Sequence, residues 1–441
     1  MTRERDFRQV VSRWMGVKLP DMVERDIDIP LDIKSIVSII GGRRVGKTYM
    51  MYHTVKRLEK DKSRNNILYI NFEDERLRNL DADDLNDMLK VFYEVAKPEG
   101  GDIYLFLDEV QSVRDWDKWV RRIYDTGKYH VYISGSSSKL LSREISASLR
   151  GRSIDYIVFP FSFKEFLRVK KVIIEELDRL SYLEERGRII GYLNEYMEYG
   201  GYPEVVLEED MDIKIRLLQS YYNAIFYRDV VERYNIRSPS LLDIFLRYCI
   251  ANHSKYISIS KIYNFIKSMG YKVGKATLID YLRYIEEAFF LFPVEIFSYS
   301  IKDRKQYPKK IYIVDTGYIK ALDIDTNIGR LMENIVYIDL LRRSEYKNRF
   351  QIYYWRDRRQ REVDFIIGKG ISMSQLIQVT YASGLDEIER REINGLVRAG
   401  EELGCKNLTI ITWDLHDEIT INGRRIALIP LWRWLLDFSY L

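Results

Sequence analysis

The sequence predicts an α/β protein of several modules, and three observations carry that prediction. In the first third of the chain, short apolar runs of strand character alternate with helical stretches, the pattern of parallel pairing in a three-layer sheet. A glycine-rich loop, Gly41–Thr48, separates one such run, SIVSII, from a helix. Near the other end the order is helix, three strands, helix, strand.

The elements follow in order. SIVSII leads into the loop, a helix runs from about Thr48 to Lys60, and NILYINF is the next strand. IYLFLDEV and HVYISGSSS are two more, separated by the helix of DWDKWVRRIYDTG. From PFSFKEFLRVKK to about Asn235 the pattern turns helical, broken at YGGYPEV, which suits a helical lid. LLDIFLRYCIAN, SISKIYNFIKSMG and GKATLIDYLRYIEEA read as three helices, the second with Ser258 as N-cap and Gly270 as stop. FFLFPVEIF and KKIYIVD then form a β-ribbon, so this part reads as a winged helix-turn-helix. The last module takes GRLMENIVYIDLLRR, QIYYW, EVDFII and QLIQVTY, a helix from Asp386 to Leu403, and NLTIITW. The expected division is 1–165, a nucleotide-binding core; 166–235, the lid; 236–325, the winged helix; and 326–441, the last α/β domain.

Composition bounds the function. At 441 residues the chain exceeds one core, and 46% apolar with 31% charged residues is globular. A net charge of +4 restricts any nucleic-acid surface to a local patch. Two distant cysteines and four histidines without ligand spacing argue against a disulfide framework or a zinc site and for a reducing interior. The charged start lacks the apolar core of a signal peptide, and no stretch is long enough to span a bilayer. The expectation is a soluble, cytoplasmic chain without membrane contact. Its charge-rich, tyrosine-rich composition fits a thermophile.

The chemistry concentrates in the first module. Gly41, Gly42, Arg43, Arg44, Val45, Gly46, Lys47 and Thr48 satisfy G-x-x-x-x-G-K-[ST], with Tyr49 next in the helix. Glycines let successive backbone N–H groups curl around phosphates, and the helix N-terminus adds partial positive charge. Lys47 then reaches the β- and γ-phosphates, and Thr48 offers its hydroxyl to Mg²⁺. Asp108, ending IYLFLDEV, suits the Mg²⁺ shell, and Glu109 suits orientation of the attacking water. Ser134 or Ser136 is a candidate γ-phosphate sensor. Arg150 and Arg152 of SLRGRS are candidates to meet transition-state charge, in cis or from a neighbouring subunit.

Together IIGGRRVGKT, INFEDERL, LDEVQSVRDWDKWVRRIYD, ISGSSSKLLSREISASLRGR, FPFSFKEFL and GGYPEVV resemble the AAA-type ATPases of archaea and bacteria that carry a C-terminal domain of unknown function. The resemblance spans nearly the whole chain. It implies ATP as the nucleotide, Asp108 and Glu109 as the Walker B pair, the hydroxyls after the fourth strand as sensor 1, and the LRGR arginines as nucleotide sensors.

The last module resembles the PD-(D/E)xK nuclease fold, with Glu333 on its first helix and Asp364 on its second strand. Where that pattern requires (D/E)-x-K, the sequence has Gln378-Val379-Thr380, and the nearest replacement lysine in sequence is Lys369. A degenerate, inactive scaffold is expected, because metal-assisted attack needs both acids and an ammonium. The run WRDRRQREVD reads either as a solvated hairpin or as a phosphate-contacting ridge. Lys272, Lys275 and Arg283 flank the third helix of the winged helix, but Asp280, Glu286 and Glu287 share it. The functional expectation is a Mg²⁺-dependent ATPase coupled to its C-terminal half. DNA (through the winged helix or the last domain), a protein partner, or a second copy of the chain are the expected partners. An ATP-gated binding module with little turnover, or a nuclease with a surviving site, are the alternatives.

Overall fold

The computed structural model describes residues 2–135, 149, 151–172, 183–348, 350–370 and 372–440. These form two compact units, Met1–Phe159 and Pro160–Leu441. The division falls six residues before the expected 165, and the whole segment 166–235 lies in the second unit.

The first unit opens with α1 (Thr2–Gly16), followed by β1 (Ile36–Ile40), α2 (Lys47–Leu58), β2 (Ile67–Asn71) and α3 (Asp84–Ala96). β3 (Ile103–Asp108), α4 (Trp116–Asp125), β4 (Tyr129–Gly135) and β5 (Ser153–Ile157) complete it. The sheet order is β2-β3-β4-β1-β5, every pair parallel. β1 and β3 are buried along their whole length, which is why both are continuous apolar runs rather than alternating ones. Because β1 and β3 are separated in the sheet by β4, the chain reverses its winding there, and ligands bind beyond the carboxyl ends of strands at such a point. α1 packs on α3 and β2. Its Trp14 Nε1 donates to the Ile67 carbonyl at 2.7 Å, and the Arg64 guanidinium lies 3.6 Å over the Trp14 ring.

The second unit begins with α5 (Phe163–Val169), entered through a capping box in which Ser162 and Glu165 satisfy each other's backbone N–H groups. α6 (Leu183–Tyr199), α7 (Pro203–Leu207) and α8 (Met211–Ala224) follow, then a π-helical turn over Ile225–Glu232. α9 (Pro239–Ala251), β6 (Tyr256–Ile257), α10 (Ile259–Ser268), α11 (Lys275–Glu287), β7 (Leu291–Val294), α12 (Ile301–Gln306) and β8 (Lys309–Ile313) make a module of three longer helices, α9 to α11, and the short α12, with an antiparallel sheet ordered β6-β8-β7. This is the region expected as a winged helix. α10 stops at Gly270, whose φ of 87° needs glycine; Ser258 sits at its N-cap, but its side chain makes no capping bond.

The YGGYP break is explained by the turn just past β8. Asp315 accepts hydrogen bonds from the backbone N–H of Gly201 at 2.7 Å and of Gly317 at 2.9 Å. A Cβ at Gly317 would lie 2.5 Å from the Tyr199 carbonyl oxygen, so the two turns meet backbone to backbone. Burial pushes the Asp315 carboxyl up to about 6, against those two N–H groups.

After α13 (Gly317–Ala321) come α14 (Ile328–Arg343), β9 (Gln351–Arg356), β10 (Glu362–Lys369), β11 (Ser372–Val379), α15 (Arg390–Glu402) and β12 (Leu408–Thr412). This is the helix, three strands, helix, strand order. The chain then adds a hairpin, β13 (Asp417–Ile421) and β14 (Arg424–Pro430), and α16 (Leu431–Leu436). The sheet runs β13-β14-β12-β11-β10-β9. Val363, Ile366, Leu376, Leu396, Leu408, Ile410, Ile426 and Leu428 form its core. α16 closes back on α5, α6 and α14. There the Trp434 indole donates to Asp339 at 3.1 Å, and Arg343 lies 2.7 Å from the same carboxylate.

Candidate functional site

The nucleotide-loop residues gather where the sheet predicts. Gly41 leaves β1 with φ 151°, and a Cβ there would stand 2.3 Å from the Val158 carbonyl oxygen, so only glycine lets the chain turn at this point. Gly46 caps α2 in the left-handed region at φ 98°, and Arg44 between them also has a positive φ of 62°. Arg43 is half-buried, Arg44 and Tyr49 are exposed, and Val45 is buried. Lys47 is buried, its ammonium donating to the carbonyls of Gly41 at 3.2 Å and Gly42 at 2.9 Å. The lysine thus lies back along its own loop.

β3 delivers the carboxylates. The Thr48 hydroxyl donates to Asp108 Oδ2 at 2.7 Å, across from α2 to the end of β3. Tyr69 donates to the same oxygen at 2.7 Å, while Ser134 donates to Asp108 Oδ1. Three hydroxyls therefore fix one fully buried carboxylate. Glu109 takes a left-handed φ of 54°, its N–H donates to Ser134 Oγ at 3.1 Å, and its Oε2 accepts from Gln111 Nε2 at 2.6 Å. A hydroxyl and a carboxylate at this spacing are hard oxygen donors, the set that Mg²⁺ prefers.

Sequence reasoning missed three participants. Tyr69 was hidden in the apolar alternation of NILYINF; burial and the nearby Asp108 charge raise its phenol far above the usual range, so it remains a donor. Arg25, ahead of β1, braces the loop by donating to the carbonyls of Val45 at 3.1 Å and Phe159 at 2.6 Å. Glu73, just past β2, is raised by desolvation and then by the charges of Glu109 and Asp108, although the residue is exposed; Arg43 and Lys47 pull the other way.

Two predicted residues, Ser136 and Arg150, lie outside the described residues. Arg152 is not brought to the loop. Its carbonyl accepts from the Ile36 N–H at 2.9 Å, at the start of β1, whereas the phosphate loop begins at the other end of that strand. A five-residue strand puts roughly 16 Å between them. Its guanidinium instead meets Asp125 at 3.1 Å. The expected role of Arg152 on a phosphate in its own subunit is therefore corrected.

The nuclease-like module holds a second cluster, with one unexpected member. Asp364 on β10 and Glu333 on α14 do converge, as their pattern implied. Between them lies Lys310 of β8, 2.7 Å from Asp364 and 3.0 Å from Glu333, with its side chain 1% exposed. Lys369 is five residues further along β10 and exposed, and is not the replacement. Gln378 is turned to the backbone, accepting from the Asp364 N–H at 3.3 Å. The signal for Lys310 was present in KKIYIVD: a lysine inside an otherwise apolar strand must find carboxylates or pay heavily for burial. Burial raises Glu333 to about 8, with the Asp364 charge adding to it and Lys310 and Tyr312 opposing. Glu362, at the edge of the cluster, stands 3.7 Å from the same ammonium, so Lys310 serves three acids, and burial raises Asp364 as it raises Glu333. No group of three or more acidic, histidine or cysteine side chains among the described residues is arranged to hold a metal.

Glu392 of α15 lies at the edge of this cluster, and its Oε2 has no hydrogen-bond partner among the described residues. Burial, then the Asp364 charge, pushes it up to about 7, with Thr380 opposing. Its folded value lies above its unfolded one, so it costs nothing below the unfolded value and progressively destabilises the fold as pH rises towards 7. Glu392→Gln is expected to gain roughly 1–3 kcal/mol on the wild type between pH 5 and pH 8. Parallel denaturation curves at the two pH values check this, and a constant difference between the proteins would refute it.

Among the described residues no helix is long and apolar enough to cross a membrane. The family model described as AAA domain matches residues 34–167. Two domains of unknown function, DUF8612 and DUF4143, match residues 190–329 and 328–434. An uncharacterised protein of Methanocaldococcus jannaschii is 38% identical, covering 98% of this chain and 95% of its own. An uncharacterised protein of Haemophilus influenzae is 27% identical over 92% of this chain and 95% of its own. An Aeropyrum pernix Orc1 protein solved in complex with DNA covers 77% of this chain and 93% of its own at 11% identity and a TM-score of 0.27, too distant to carry an argument. Identity of this degree, sustained along nearly the full length, settles the relationship that the loop and its two carboxylates suggested: the chain belongs to the AAA-type ATPase family whose members carry a C-terminal domain of unknown function.

Proposed function

We propose that the chain binds Mg·ATP at Gly41–Thr48 and hydrolyses it, and that its nucleotide state controls the winged-helix and nuclease-like half, acting on DNA. The observation that carries the ATPase part is the meeting of the Thr48 hydroxyl and the Asp108 carboxylate at 2.7 Å at the mouth of the phosphate loop. Thr48 and Asp108 are the residues that would hold Mg²⁺, which when bound offsets charge on the phosphate oxygens. The loop N–H groups and the α2 N-terminus bind the phosphates. Lys47 exchanges its two loop carbonyls for the β- and γ-phosphate oxygens. Ser134 and Tyr69 position Asp108, and Ser134 also ties Asp108 to the Glu109 backbone, so that a change at the γ-phosphate is felt at both acids. Glu109 accepts a hydrogen bond from the attacking water and orients it. Arg150, or an arginine from a second copy of the chain, supplies the positive charge that Arg152 does not reach within its own subunit.

One observation favours a second reading, ATP gating with little turnover: the Gln111 amide occupies Glu109 at 2.6 Å. Phosphate release separates the two. Turnover by the wild type, lost by about a hundredfold or more in Glu109→Gln while ATP binding persists, is the expected result. Wild-type release no faster than that of Glu109→Gln would select the gating reading.

The cluster at Lys310 supports an inactive nuclease-like domain. Asp364, the acid that would hold a metal, is buried and already paired with Lys310 at 2.7 Å, and Glu333 beside it is raised by burial.

A further inference from the structure

The sequence left the arginine run of the last module and the lysines of the three-helix module as separate, ambiguous features. The fold joins them. From Lys255 to Arg283 the chain has six basic residues and one acid, Asp280. That acid pairs with Arg283 at 3.1 Å, and the first turn of α11, Lys275–Leu278, holds no acid. Lys261 and Lys272 are exposed and make no ion pair among the described residues. Lys275, at the start of α11, donates to the Ser260 hydroxyl at 3.0 Å, which ties the starts of α10 and α11 together without neutralising the ammonium.

The β9–β10 hairpin docks beside this point. The Arg356 guanidinium lies 4.7 Å over the ring of Tyr256, just ahead of α10, and the Tyr256 hydroxyl donates to Glu362 across the hairpin at 2.8 Å. At the tip, Asp357 accepts from the backbone N–H of Arg359 at 2.8 Å and of Arg361 at 3.0 Å, and pairs with the Arg361 side chain. The single acid of the turn is thereby consumed in shaping it. Arg358 and Arg359 remain exposed and without an ion pair among the described residues.

We infer that α10, the start of α11 and the β9–β10 hairpin form one composite cationic face that binds the phosphate backbone of duplex DNA. This deepens the DNA part of the reading above and does not depend on turnover. Unpaired cations on rigid, tied elements suit phosphates, because binding then orders little and releases counterions. Gly274, the N-cap of α11, and Ala276 flank Lys275, small residues that permit close approach of the first helical turn to a groove. An anionic membrane is a poorer fit, since the Arg358–Gln360 tip carries no apolar side chain to enter lipid.

The test is fluorescence anisotropy of a labelled DNA duplex with the full chain, nucleotide-free and over a range of salt. Wild-type binding should weaken with salt. Arg358→Glu/Arg359→Glu and Lys261→Glu/Lys275→Glu should each lose at least about tenfold in affinity and flatten the salt dependence, while basal phosphate release and melting temperature stay at wild-type values. No wild-type binding at about 50 mM salt overturns the inference. So does indifference to either pair, which would confine the contact to one module, or equal affinity for phosphatidylglycerol vesicles. A failure of ATP turnover leaves this result untouched, because no nucleotide is present.

Discussion

Lys47→Ala is expected to reduce ATP hydrolysis by about 10²–10³-fold, the loss seen when one well-placed donor to developing transition-state charge is removed. Lys47 is buried, and its ammonium is held by the carbonyls of Gly41 and Gly42 within the loop itself. Of the loop's cations, Lys47 is the buried one; Arg43 and Arg44 lie nearer the surface. Alanine also frees those two carbonyls, so the loop should soften as well as lose charge, and ATP affinity should fall alongside turnover. Phosphate release at saturating Mg·ATP, paired with calorimetric titration of ATP, separates the two effects. A Lys47→Ala protein that turns over ATP at the wild-type rate would place the chemistry elsewhere in the chain.

The largest stability effect is expected at Lys310. Lys310→Met leaves Asp364 buried without its counter-charge, and breaking a buried pair on one side costs about 3–5 kcal/mol. The loss should be partly relieved in the double variant Lys310→Met/Asp364→Asn, because the amide needs no cation. Glu333→Gln should cost far less, since burial already keeps Glu333 protonated up to about 8. Denaturant unfolding followed by tryptophan fluorescence checks all three. A Lys310→Met protein within about 1 kcal/mol of wild type would show that water, not Lys310, satisfies the Asp364 carboxylate.

The first unit was legible because its signals are local. A glycine loop between an apolar run and a helix, and a strand ending in Asp108-Glu109, specify positions through the backbone alone. Tyr69 and Arg25 escaped because their roles depend on contacts across the sheet, between residues that no sequence spacing relates. In the last module, Glu333 and Asp364 were found from the order of elements, but their cation was sought within the same module and came from a strand outside it. The β13–β14 hairpin was readable and went unread: Asn422-Gly423, with φ of 51° and 74°, is the dipeptide that a tight two-residue turn demands. The own-subunit role of Arg152 was misjudged because closeness in sequence to a strand end says nothing about which end.

The position of Lys310 also bears on how such a domain can be inherited. Its strand, Lys309–Ile313, lies outside the last α/β module, yet the acids it pairs with lie inside. A chain acquiring that module by recombination at its obvious boundary would receive two bare acids in its interior. The two modules can therefore be shuffled only as a pair, and a gene fusion that preserved one would have to carry the strand of the other with it.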